Sequence, residues 1–210
     1  MFVLFNFKFA TLPDLGLFCS FVTRAERLLN MASQFKYFGQ DVERMVGKKK
    51  IRYIHIWLSR NFWGLALYRL ERGLFILLGS PYEKIRILFS PLFYPIQAYS
   101  NIDIHYKADI KGGISVLHPS VGIVVSGMSV IGRNLTMVGG NIIGAKDRCK
   151  PGDIQVGDDC IMGANAVIIG PINLGSKIYI AASACVVHNY PDGSITLMGV
   201  PAKPAKSKLI

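Results

Sequence analysis

Two residues of this 210-residue chain combine in type and spacing to suggest chemistry: His118, and Asp103 fifteen positions before it. Imidazole takes up and releases a proton near neutral pH, and a carboxylate on its far nitrogen fixes the ring's orientation. Such a pair is the usual general base for activating a hydroxyl. His118 stands beside Pro119 and within reach of Gly122, in a turn-forming stretch. The other three histidines read as structural: His55 in a helical region, His105 next to a turn, and His188 at the end of the repeat described below. Cys19, Cys149, Cys160 and Cys185 form no CxxC pair, and no metal-ligand spacing is present. No metal is therefore expected, and the chain reads as reduced, with Cys160 and Cys185 as small core residues.

The element that positions the pair has a period of six. Val156, Met162, Ile168, Leu174, Ile180 and Val186 are apolar at that spacing, and Gly157, Gly163, Gly175 and Ala181 directly follow four of them. A helix repeats its apolar face every 3.6 residues and a strand every 2, so neither alone gives six. Six-residue units of strand plus turn do, three to each triangular coil of a β-helix. The register extends back through Val125, Ile131, Met137 and Ile143, and again through Ile104, Ile110 and Val116. Two breaks interrupt it: three extra residues within His118–Gly122, and a loop over Ala145–Asp153. Insertions in repeat proteins become loops and often carry the site. Asp103 and His118 then fall on successive coils, within side-chain reach.

The fold expected is mainly β, a β-helix over residues 101–188 of about four and a half coils, behind a helical region, residues 1–100. Residues 189–210 are expected to form a capping tail, because an open coil end exposes unpaired strand edges. In the first region Ile54, Trp57, Leu58, Phe62, Leu65, Leu70, Leu74 and Leu77 recur at helical spacing until Gly79-Ser80-Pro81. Residues 85–98 should be broken by Pro91 and Pro95 into a short helix or extended approach, and residues 34–50 read as a solvated segment ending in Lys48-Lys49-Lys50.

The chain is 51% apolar with net charge +11, and residues 1–100 hold 14 Lys/Arg against 6 Asp/Glu. Such a half could meet an anionic membrane surface or polymer, but no nucleic-acid-binding motif accompanies it. The first 23 residues lack a basic leader and a small-residue cleavage site, so no signal peptide is expected. No transmembrane helix is read either: residues 112–132 are charge-free but carry glycines and the six-residue period. The expected location is cytoplasmic, with peripheral contact at the inner membrane face.

Several runs resemble the serine acetyltransferase branch of the hexapeptide-repeat acyltransferases, a left-handed β-helix family. They are Ile102-Asp103-Ile104-His105, Leu117 to Val125, Gly139-Gly140, Asp147-Arg148, Met162-Gly163-Ala164 and Gly199-Val200-Pro201-Ala202-Lys203. The resemblance implies acetyl-CoA as a co-substrate, with no permanently bound cofactor, lying between subunits of a trimer or a multiple of one. It implies His118 as the catalytic base and Asp103 as its orienting carboxylate. It also implies Gly140 near a backbone oxyanion donor, Ala164 and Ala182 lining the pantetheine channel, and Lys203 meeting CoA phosphate.

Two departures bear on the acceptor. The family has an Asp before the catalytic His, which holds the amino group of serine; here it is Leu117. It also has Arg-His where this chain has Arg148-Cys149. Losing the ammonium's carboxylate disfavours a free amino acid, while Arg148 keeps a donor for a carboxylate or phosphate. The expected function is O-acetylation of a sugar hydroxyl in surface (capsular or exo-) polysaccharide biosynthesis. Transfer is direct, without a covalent intermediate on Cys149. Serine O-acetylation in cysteine biosynthesis and a non-catalytic β-helix scaffold are the alternatives.

Overall fold

The period-six residues form columns inside a prism. All thirteen of them, from Ile104 to Val186, are buried, and burying a side chain of this size contributes roughly 1.5–3 kcal/mol. The computed structural model describes residues 12–48 and 51–205, with side chains from residue 24 onward. Lys49 and Lys50 of the basic run, the side chain of Cys19 and the first eleven residues lie outside the described residues.

Three parallel sheets make the prism. Sheet A holds β1 (Ile102–Ile104), β4 (Ile123–Val125), β7 (Asn141–Ala145), β10 (Val167–Gly170) and β13 (Cys185–Val186). Sheet B holds β2 (Asp109–Ile110), β5 (Ser129–Ile131), β8 (Ile154–Val156) and β11 (Ile172–Leu174). Sheet C holds β3 (Ser115–Val116), β6 (Thr136–Met137), β9 (Ile161–Met162), β12 (Tyr179–Ile180) and β14 (Thr196–Met198). The chain visits A, B and C in turn, so each period-six residue pairs with its equivalent in the next coil, as in Val125↔Ile143 and Met137↔Met162.

The tail does more than cap. Tyr190 bridges Leu174 in parallel and β14 pairs in parallel with β12, completing a fifth coil. Only after Gly199 does the chain fold back, with β15 (Lys203–Pro204) antiparallel on β14. Val186 and Leu197 are eleven residues apart, one short of two repeats, which hid this coil from the period.

Among the described residues four α-helices precede the prism: α1 (Leu12–Val46), α2 (Arg52–His55), α3 (Arg60–Leu78) and α4 (Pro81–Ser100). Residues 34–46, read as solvated, belong to α1. The Pro-containing segment is not broken either, since α4 runs continuously past Pro91 and Pro95. Proline at 91 removes the N–H that would reach the Ile87 carbonyl, and the Ser90 hydroxyl donates to that carbonyl instead at 2.7 Å. α3 covers the open face of the first coil. A Cβ on Gly64 would sit 2.8 Å from Ile102, so glycine permits the approach. The buried Tyr68 hydroxyl donates to the Ala108 carbonyl and accepts from the Ile110 amide, and burial pushes its pKa up to about 12.

A buried ion pair ties α1 and α3 to the first coil. Arg69 Nε donates to Asp41 at 2.9 Å, and its other nitrogens donate to the Ile110 and Lys111 carbonyls. The same Asp41 carboxylate accepts from the Gly113 and Ile114 amides. Burial raises the Asp41 pKa, against the opposing pull of Arg69.

Candidate active site

His118 lies on the prism edge where sheet C turns into sheet A. The three extra residues of the first break are the short 3-10 turn Pro119–Val121, with His118 and Gly122 at its ends. The His118 amide donates to the Val138 carbonyl of the next coil, and Asn101, in the left-handed region, donates from Nδ2 to the Ser120 carbonyl. The turn is thus held from two sides, and the imidazole stands on the exposed rim.

The same edge carries the small residues. Asn165 N donates to the Gly139 carbonyl, and Ser183 N to the Ala164 carbonyl. His118, Gly139-Gly140, Ala164 and Ala182 therefore succeed one another coil by coil, and Cys185 N reaches on to Gly199 at the start of the tail. At about 4.8 Å per coil this is roughly 19 Å of edge without a large side chain. Lys203 is exposed on the folded-back tail at the far end. Gly139 is obligatory: its φ is +146°, and a Cβ would lie 2.7 Å from the His118 carbonyl. The wholly buried Asn141 holds this corner, accepting from the Gly139 amide at 2.9 Å and donating to the Gly163 carbonyl at 2.6 Å.

Asp103 points outward from β1 on sheet A, into a cleft of about 590 Å³ beneath α4. Tyr94, Gln97, Val121, Gly122 and Gly140 also line that cleft. Asp103 does not orient His118 through a hydrogen bond here. Its Oδ1 accepts from Gln97 Nε2 at 2.6 Å, and among the described residues the His118 imidazole makes no hydrogen bond. Gly140, expected near a backbone oxyanion donor, lines the same cleft, and its amide donates to the Gly122 carbonyl at 2.7 Å, so that amide is not free to serve an oxyanion.

Arg148 and Cys149 fall elsewhere. They sit in the loop between β7 and β8, at the opposite end of sheet A from His118, where Arg148 takes a φ of +68°. One strand width of about 15 Å separates that edge from the histidine. Within one chain they do not join it.

Leu117 faces out on the sheet C side, 54% exposed. It lines a second cleft, of about 540 Å³, against α1, α2 and α3. His55, set aside as structural, borders this cleft, as do Arg44, Arg52 and Asn61. Nothing in the period marks these four, because they come from helices that no repeat aligns with His118. His105 is structural as expected: it stacks on Tyr106 at 4.4 Å, its Nδ1 accepts from the Lys107 amide, and burial lowers its pKa. Cys160 is buried, and burial raises its pKa, so it stays a thiol. Among the described residues no group of three or more His, Cys, Asp or Glu could hold a metal ion.

No family profile matches the sequence. The chain is similar to the serine acetyltransferase of Helicobacter pylori strain J99, 30% identical over 154 residues, which cover 69% of this chain and 86% of that protein. It is similar also to the Mycobacterium tuberculosis serine acetyltransferase, 30% identical over 147 residues, 67% of this chain and 57% of that one. Of the Arabidopsis thaliana serine acetyltransferase 2 it spans 42% of the length, so the match to the longer relatives covers about half of them. Among solved structures, Neisseria gonorrhoeae serine acetyltransferase in complex with serine superposes with a TM-score of 0.68 at 25% identity, covering 87% of this chain and 73% of that one.

Proposed function

The chain belongs to the serine acetyltransferase family, a hexapeptide-repeat left-handed β-helix family, and from that premise we propose that it is an acetyl-CoA-dependent O-acetyltransferase. The observation that carries the proposal is the edge: an exposed histidine followed, coil by coil, by Gly139-Gly140, Ala164 and Ala182. An extended pantetheine arm fits along such an edge, with the thioester at His118 and the CoA phosphates towards Lys203. His118 takes the proton of the acceptor hydroxyl as its oxygen attacks the thioester carbonyl. The tetrahedral intermediate collapses with loss of the CoA thiolate, and the imidazolium returns its proton to that sulfur. The oxyanion donor is a group other than the Gly140 amide, and Cys149 carries no acyl intermediate.

L-Serine is the first acceptor, because the relatives and the superposed structure bear that name and that ligand. This departs from the saccharide acceptor expected from the sequence, which no relative above supports. A saccharide hydroxyl remains the second reading, on one observation: Leu117, where the family's ammonium anchor is expected, presents an apolar side chain. Arg148 and Cys149 would reach His118 only from a neighbouring copy, which favours the trimer that the resemblance implies. Among the described residues no helix is long and apolar enough to cross a membrane. Peripheral membrane contact, if made, would use the exposed Ile87, Leu88 and Leu92 of α4. Mass spectrometry of products from acetyl-CoA with L-serine, and separately with a saccharide panel, tests the function. O-Acetylserine supports the first reading, an O-acetyl sugar alone supports the second, and no product with any acceptor overturns both.

A further inference from the structure

The cleft on the sheet C side of His118 has a chemistry that the transfer step does not explain. Arg44, Arg52, His55 and Asn61 line it, it ends at Leu117, and no Asp or Glu is among its lining residues. Arg44 is fixed by donation to the Gly113 and Leu135 carbonyls and to Thr136 Oγ1, all neutral acceptors, so its charge meets no carboxylate in contact. The nearest carboxylates acting on it through space are Asp41 and Asp159, and Asp41 is already paired with Arg69. Arg52 and His55 are exposed, and among the described residues neither has a carboxylate partner.

Asn61 adds a buried polar side chain to the lining of the cleft. Asn61 is 92% buried by its 8% exposure, and its Nδ2 donates to the carbonyl of Val116, two residues before the catalytic position. That bond fixes which way the amide faces, and leaves Oδ1 buried with no partner.

We propose that this cleft is the acceptor's recognition subsite, in which Arg52, Arg44 and His55 hold an anionic group of the acceptor, carboxylate or phosphate. The inference rests on the acetyl-transfer reading for its placement beside the reacting hydroxyl. It names a chemistry that two sources share, an amino acid's carboxylate and an acidic saccharide or hydroxy acid. It excludes neutral sugars as good acceptors.

Binding tests it independently of turnover. Both tryptophans of the chain, Trp57 and Trp63, sit where α2 leads into α3, and Trp63 Nε1 donates to the Trp57 carbonyl. Trp57 adjoins the lining residue Ile56, so its fluorescence is followed beside isothermal titration calorimetry, which reads occupancy directly. The full-length wild type and Arg52→Gln are titrated with two pairs, D-glucuronate against D-glucose and L-serine against L-serinamide. In at least one pair the carboxylate member is expected to bind wild type about tenfold to a hundredfold more tightly. That advantage is expected to fall to within about threefold in Arg52→Gln, with the thermal melt unchanged because Arg52 is exposed. The pair that responds identifies the source. Equal binding within both pairs, or an advantage that survives Arg52→Gln, overturns the subsite. Thiol release from acetyl-CoA with the same compounds is scored separately: preferential binding without transfer would sink the acetyltransferase reading and leave the subsite standing.

Discussion

His118 is fixed by its backbone, not by a side-chain partner: its amide bonds to Val138, and its carbonyl abuts Gly139. Replacing it with Ala removes the proposed base from an exposed position. The rate of transfer is expected to fall by about 10²- to 10⁴-fold, with acetyl-CoA binding retained, as rapid-quench and equilibrium binding would show. Asp103→Asn is expected to cost less than His118→Ala, because the carboxylate is held by Gln97 and not by the ring. Leu117→Asp tests the acceptor from the other side. It supplies the carboxylate an ammonium needs, and is expected to raise kcat/KM for L-serine by about tenfold or more. No gain would show that Leu117 does not face the bound amino group. The histidine was legible because it stands where the repeat breaks, and the small residues and the departure at Leu117 because the family resemblance marks their positions. The occupied Gly140 amide and the unpartnered Asn61 oxygen were not, since both depend on hydrogen bonds between segments the chain does not bring together locally.

Each element was legible in proportion to how strictly its period maps onto burial. The six-residue register gave every coil between Ile104 and Val186, and both insertions where they occur, because one slipped residue would turn the buried column outward. The fifth coil escaped, since the Tyr190–Gly193 turn shortens its spacing by one. The helices were less legible: α1 buries Gln34 and Asp41, polar residues whose partners lie on α3 and the first coil. That arrangement makes a stability prediction. Asp41→Ala strands the Arg69 charge in the interior and is expected to cost about 3–5 kcal/mol in urea unfolding, with the loss showing no relief at high salt. On the small-residue edge, Ala164→Leu is expected to raise the KM for acetyl-CoA about tenfold or more, as overpacking a groove costs roughly 1–3 kcal/mol. The melting temperature is expected to stay within a few degrees, because Ala164 is only half-buried.

At the scale of the molecule, one edge of the prism separates two clefts. Asp103 and α4 flank it on the sheet A side, and the basic cleft under α1, α2 and α3 flanks it on the sheet C side. As proposed, the donor lies along the edge and the acceptor enters from one side, and both substrates would meet at a single imidazole. Arg148 and Cys149, at the far end of sheet A, can take part only across a contact between copies. Mixing an Arg148→Ala chain with a His118→Ala chain is therefore expected to restore part of the activity that each lacks alone, and no restoration would keep the site within one chain. The measurement that bears most directly on the whole account is thiol release from acetyl-CoA, followed with and without a hydroxyl acceptor, in wild type and His118→Ala. Acceptor-dependent release by wild type that the substitution abolishes is the expected result. Release that is absent with every acceptor, or that His118→Ala leaves intact, would contradict it.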